Sequence, residues 1–443
     1  MSAEWMDLAT RVVARARELG ADEVSVSVSS GRHVTLSRRE RRVEQATEAT
    51  TRGLVLSVLA GDRFTSNSTS DLRPDALDAF VRRSVSSAGW LEPDPYRRQP
   101  ERSRCGRGVS EAQLDQSDPA WAARTAADRA TQCEQLEELV RAAGEAAGGG
   151  IVSCSASVAD GWSEGVRVMS NGFADRSEGA WFSASADMTL AEGDKRPEGS
   201  AYYGVRHLAD LPSDATIAAE CVKNTRERLG SGSIASGTYP MLLENRVAGR
   251  VLGMLGAPLS GGSLHEGRSC LQGKLGAVIA SDRLTIVDDP TIPRGLGSRP
   301  WDGDALVAKV MPVVERGVLQ NYYVSQYYAR KLGMEPSTGG KSNWVVAPGA
   351  RSFAEIARDL PKAIQVTGFL GGNANSTTGD FSFGIRGLLL EHGEVTASLS
   401  EMNVGGNLLK LLQSLAEVGN DPWVYASTRA PSLLFSDVRF SGS

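Results

Sequence analysis

Polar and apolar residues alternate through Glu23-Val24-Ser25-Val26-Ser27-Val28 and again in parts of residues 32–36, 42–47 and 51–60. Period two is the mark of half-buried strands. With Gly31 and Gly61-Asp62 as turns, four or five antiparallel strands form a meander. Ahead of them, Met6, Leu8, Ala9, Val12, Val13, Ala16 and Leu19 recur near a 3.6-residue period and Gly20 supplies a stop, which predicts a helix over 5–19. After them, Ser70 or Asp71 as cap, Pro74 in the first turn, and Leu77, Phe80, Val81 and Val85 predict a second helix. Helix, sheet and helix make an α+β unit over 1–92.

Residues 92–108 hold three prolines and five arginines with little apolar content and read as a linker. An Ala-rich helix is expected over 119–146, ended by Gly148-Gly149-Gly150, then strands near 151–158, 164–169 and 177–190. A helix over 213–229, capped by Ser213 or Asp214, closes a middle α+β domain over 109–230. Gly230-Ser231-Gly232-Ser233 reads as a joint. The third domain, 236–443, opens with a strand at 237–244 and a helix through Val247, Val251, Leu252 and Leu255, then runs into short strands and glycine turns. Leu408, Leu409, Leu411, Leu412 and Leu415 predict a helix over 403–418. The fold class is α+β with a larger β-rich C-terminal domain and a few helices.

Composition narrows the function. The 443 residues carry 48 basic and 53 acidic side chains, so no positive field is available to hold a phosphate backbone, and nucleic acid is not expected as a partner. No 18-residue apolar run is present, and acids stand where a signal peptide needs Lys or Arg, which excludes a membrane partner and points to the cytoplasm. Cys105, Cys133, Cys154, Cys221 and Cys270 form no CxxC pair and read as reduced thiols.

His265-Glu266-Gly267-Arg268-Ser269-Cys270 is the one stretch shaped like a metal motif, a zincin helix needing two His ligands a turn apart and a Glu base. The second His is replaced by Cys, His392 is the only later His, and Gly261, Gly262 and Gly267 disfavour a helix. The segment therefore reads as a loop, with no catalytic residue and no metal ligand assigned. Cys270 with His265 lacks an orienting third group for thiol catalysis. No Gly-x-Ser-x-Gly elbow or phosphate loop is found in a fitting context. His33 and His207 read as solvent-facing or satisfied structural histidines.

Residues 371–384, Gly-Gly-Asn-Ala-Asn-Ser-Thr-Thr-Gly-Asp-Phe-Ser-Phe-Gly, form a polar glycine-rich stretch before Leu388-Leu389-Leu390. It reads either as a long hairpin connection or as a cleft edge that pairs with extended peptide backbone. In the second case Asn373, Asn375, Thr378, Asp380 and Phe381 line or shape a substrate cavity.

Tyr327-Tyr328-Ala329-Arg330-Lys331-Leu332-Gly333, Ser337-Thr338-Gly339, the Thr378–Gly384 run, Gly406-Asn407-Leu408 and Val418-Gly419-Asn420-Asp421 resemble the C-terminal signature of the TldD/PmbA family, in the order and spacing of its PmbA (TldE) branch. Gly20-Ala21-Asp22-Glu23-Val24 with Gly53-Leu54 and Gly61-Asp62-Arg63, Ser170-Asn171-Gly172-Phe173 and Gly237-Thr238-Tyr239-Pro240 are similar to the family's three successive domains. The resemblance implies a heterodimeric zinc metalloprotease that degrades or trims small unfolded peptides, including leader-peptide removal and antitoxin breakdown, inside a chamber between two subunits. A TldD-type partner would hold zinc through a His-Glu-x-x-x-His helix and a distant Cys, and this chain would hold no cofactor. Two alternatives stay open: an autonomous hydrolase using His265, Glu266 and Cys270, and a homodimeric binding or regulatory protein.

Overall fold

In the computed structural model, which describes residues 2–148 and 150–442, the alternating N-terminal stretch forms three long strands: β1 (Glu23–Arg39), β2 (Arg42–Ala60) and β3 (Arg63–Thr69). Gly31 is not a turn. It sits mid-strand opposite Thr51 and Ser163, where a side chain is not needed to keep the pairing, so the expected four or five strands are three. Gly61 and Asp62 do turn the chain, both with positive φ (54° and 64°). Val24, Val26 and Val28 of β1 and Leu54, Leu56 and Val58 of β2 point to one face, against Ala9, Val12 and Ala16 of the helix Ser2–Glu18 and Leu77, Phe80 and Val81 of the helix Pro74–Ala88. That second helix is not capped by Ser70 or Asp71: its N-cap is Arg73 with no side-chain bond, and Asp71 instead accepts from the Arg73 N–H at 3.2 Å.

The first two units share one sheet. The strands β4 (Ile151–Met169), β5 (Ala174–Leu190) and β6 (Glu198–Val205) extend the first three in the order β3-β2-β1-β4-β5-β6, with β1 pairing to β4 from Ser25–Met169 to Arg39–Ser155. The 1–92 and 109–230 segments are thus one layered unit, because a strand as long as β1 leaves an open edge that β4 satisfies. The two strands expected at 151–158 and 164–169 are one, and β6 was not foreseen. The expected helix over 119–146 breaks at Thr125, whose hydroxyl caps Ala126–Ala146 in a capping box with Asp128, leaving Ala120–Ala123 as a separate turn. Gly149 lies outside the described residues. The helix Asp214–Arg226 is capped by Ser213, and with Ala126–Ala146 it covers β4–β6 through Leu136, Val140, Ile217 and Cys221. Arg129 donates to both oxygens of the buried Asp160 at 2.7 and 2.6 Å, tying helix to sheet.

The segment 92–108 is a strap rather than a free linker. Gln99 donates to the Val24 carbonyl (2.7 Å), Asn171 donates to the Pro100 carbonyl (2.9 Å), and Arg97 lies over the rings of Phe64 and Tyr327, so it joins the long sheet to the C-terminal domain.

That domain is built on β7 (Gly237–Leu243), followed by a short second sheet of β8 (Ile286–Asp288), β9 (Met311–Glu315), β10 (Val318–Leu319), β11 (Trp344–Val346) and later β16 (Thr428–Arg429). The strands β12 (Ala363–Ala374), β13 (Asp380–Glu391), β14 (Glu394–Asn407), β15 (Leu415–Val418) and β17 (Leu433–Ser441) complete the first, ordered β14-β13-β12-β7-β17-β15. Because β14 also pairs with β17 at Asn403–Ser441 and Val404–Phe440, this sheet closes into a barrel. Its core holds Met241, Leu243, Leu255, Ile286, Trp344, Phe383, Phe435 and Phe440. The helix expected over 403–418 is only Leu408–Gln413: residues 403–407 are drawn into β14 by pairing with β13, Asn403 and Val404 pairing with β17 as well, and β15 follows. The α+β class with a β-rich C-terminal domain holds. Among the described residues no helix is long and apolar enough to cross a membrane.

Candidate functional site

The glycine-rich stretch is a hairpin. Strands β12 and β13 pair up to Ala374–Phe381, and Asn375–Gly379 make the turn. Asn375 drives it: its Oδ1 accepts from the N–H of Thr377 (2.9 Å) and Thr378 (3.3 Å), its carbonyl accepts from Gly379 N–H (2.8 Å), and its own N–H donates to the Asp380 carbonyl (2.8 Å). Gly379 takes φ +81°, and a Cβ there would stand 3.2 Å from Asn407 Nδ2 and 3.5 Å from Cys270 Sγ.

Asn407 fastens the turn to the barrel. Its amide donates to the Thr378 carbonyl (2.9 Å) and Asp380 Oδ1 (3.0 Å), while its Oδ1 caps the helix Leu408–Gln413 through Leu409 N–H (3.2 Å). The bonds from Asn407 and then Thr378 hold the Asp380 carboxyl below its ordinary range. From the other side Cys270 N–H donates to the Ser376 carbonyl at 2.8 Å. This Cys270–Gly379–Asn407 junction was not legible from the chain, since Cys270 lies more than a hundred positions from the other two.

Of the five residues expected at a cavity, Asn373, Asn375, Thr378 and Asp380 are exposed on the hairpin. Phe381 departs from that expectation, because its inward position on β13 buries it in the core against Phe383, ring centroids 5.9 Å apart. None of the five lines a groove of about 540 Å³ that lies at the hairpin's base beside Thr367, Leu370 and Arg386.

The His265–Cys270 segment does not fit a catalytic zinc. The helix Gly261–His265 ends at once in a Schellman turn: Gly267 takes φ +65° and donates to the Leu264 carbonyl (3.2 Å), and Arg268 N–H donates to Ser263 (2.8 Å). The helix thus stops at His265 and does not reach Cys270, where a metal helix would have to carry both on one face. Exposed Glu266 is taken up by Arg268. Burial pushes the Cys270 thiol up, so it stays protonated near neutrality and is a poor ligand and nucleophile. Among the described residues no group of three or more His, Cys, Asp or Glu is placed to hold a metal ion. His207 is buried, its Nε2 2.9 Å from the Asp115 carbonyl.

Comparison with known proteins agrees with this layout. Residues 236–442 match the PmbA/TldA metallopeptidase C-terminal domain and residues 24–88 match PmbA/TldA metallopeptidase domain 1. A protein named Metalloprotease PmbA from Escherichia coli is 27% identical over 95% of this chain and 93% of its own. A crystal structure described as a candidate modulator of DNA gyrase, from Bacteroides thetaiotaomicron, is 33% identical with a TM-score of 0.92, covering 99% of this chain and 98% of that one. TldE from Thermococcus kodakarensis shares the fold, with a TM-score of 0.85 at 19% identity over 98% of this chain and 100% of that one. Matched along nearly its whole length, with both its barrel and its first strands recognised, the chain belongs to the PmbA/TldD metallopeptidase family.

Proposed function

We propose that this chain is the metal-free, TldE-like subunit of a heterodimeric zinc metalloprotease of the cytoplasm, paired with a TldD-type subunit that binds the zinc. The observation that carries this reading is the Schellman turn at Gly267, which separates the residues that would have to share a ligand-bearing helix. The complex would degrade or trim small unfolded peptides, such as leader sequences or an antitoxin. The exposed β12–β13 hairpin would supply backbone donors and acceptors to an extended peptide, a mode of binding that reads main chain rather than sequence. Mixing the purified chain with a TldD-type chain should give cleavage of an unstructured peptide that neither gives alone. Chelator-sensitive hydrolysis by this chain alone, lost in His265→Ala, would establish the autonomous hydrolase instead.

A second reading draws on the Bacteroides relative, described as a candidate modulator of DNA gyrase. In it, this chain is a homodimeric regulator of a nucleic-acid enzyme. A stable homodimer by light scattering that ignores a TldD-type chain would favour that reading.

A further inference from the structure

The groove of about 540 Å³ runs between the helix Asp214–Arg226 with β6 on one side and the base of the β12–β13 hairpin with β14 on the other. Its walls carry charge of both signs. Arg246 is spoken for, paired with Glu220, which also accepts from the Tyr203 hydroxyl. Arg228 and Arg386 are not: among the described residues neither makes a hydrogen bond or ion pair with a carboxylate. Both line the same groove, and burial and then the neighbouring Arg386 pull Arg228 down to about 10 against the opposing pull of Glu198 and Glu227, which leaves it charged at neutral pH. Glu198 and Glu227 offset part of this charge from a distance without touching either guanidinium, so both arginine forks stay open to a planar carboxylate.

The rest of the groove defines what that carboxylate belongs to. Glu192 has one oxygen on the Gly230 N–H and the other shut from solvent without a partner, and Glu198 stands exposed on the same wall. A phosphate or a polyanion would meet these carboxylates as well as the arginines, whereas a ligand with one anionic end and a cationic group elsewhere suits both. Tyr202 and Leu370, respectively 63% and 38% exposed, add apolar surface to the same lining. The volume falls within the roughly 300–1,000 Å³ of ordinary ligand sites, room for a short peptide.

We infer that this groove binds a short zwitterionic peptide by its C-terminal carboxylate, which Arg228 and Arg386 hold between them, with a cationic group of the peptide directed to Glu192 and Glu198. The site goes beyond the reading above in that it needs no second subunit and no metal.

The test is calorimetric titration of the full chain with tetra-alanine, its C-terminal amide, its N-acetyl form and inorganic phosphate. The acid should bind at least about tenfold more tightly than the amide, the scale of a lost charge-assisted hydrogen bond, with the N-acetyl form intermediate. Arg228→Gln and Arg386→Gln should each bring the acid down to the affinity of the amide and leave the amide unchanged, while Arg228→Lys should keep part of the difference. Equal affinity of acid and amide, no binding of tetra-alanine, or tighter binding of phosphate than of the peptide would each overturn the assignment. Should a glutamine variant fail to fold, the acid and amide pair on the unaltered chain still decides.

Discussion

The His265–Cys270 segment and the Asn375–Asp380 turn touch through Cys270, yet they are held in opposite ways. In the first, side chains with catalytic names do little: His265 and Glu266 are exposed, and Glu266 is tied to its neighbour Arg268. In the second, uncharged groups do most of the holding, with Asn375, Gly379 and Asn407 closing the turn and fixing it to the barrel. The contrast teaches that in this chain shape is built where the backbone is constrained, and that residue type alone is a poor guide to where chemistry sits.

Substitutions in the two segments test this contrast. The largest effect is expected from Gly379→Ala, which forces a side chain into the left-handed region and against Asn407 and Cys270, at a cost of about 1–3 kcal/mol in urea unfolding. Asn407→Ala removes two bonds to the turn and a helix cap, and should destabilise by about 1–2 kcal/mol in the same measurement. A smaller, pH-dependent effect follows for Asp380→Asn. The folded carboxyl is held below its ordinary value of 3.8, so its stabilisation is present above that pH and fades as pH falls through the lower folded value. The gap in urea midpoint between the parent and Asp380→Asn should therefore shrink from pH 7 towards pH 3. Last, His265→Ala and Glu266→Ala should each change stability by no more than about 0.5 kcal/mol, as expected of exposed residues whose contacts are one tilted ring, Tyr328, and one surface ion pair, Arg268. A cost for His265→Ala matching that of Gly379→Ala would reverse the comparison.

How much of this was legible in the sequence follows from the range of the interactions involved. The alternation at Val24, Val26 and Val28 reports a local period and was readable. So was the cap at Ser213, whose partner Thr216 is three residues away. By contrast, the continuity of β1 with β4 joins residues more than a hundred positions apart, and nothing near Gly31 announces it. Strand β6 was hidden because its inward positions include Gly199 and Ala201, which are too small to stand out as apolar. The leucines after Asn407 carry a helical period that is real for six residues, but the run before them obeys pairing with β13 and β17. The polar hairpin was visible as a glycine-rich run, while its anchoring by Asn407 and the arginine-lined groove at its base were not, being assembled from distant segments.

In the function proposed above, this chain supplies shape and backbone to a peptidase whose metal lies on another subunit. The most direct test of this is one peptide-cleavage assay run on this chain alone, on a TldD-type chain alone and on their equimolar mixture, each with and without chelator. Cleavage is expected in the mixture only, abolished by chelator and unaffected by His265→Ala. Metal-dependent cleavage by this chain on its own would contradict it.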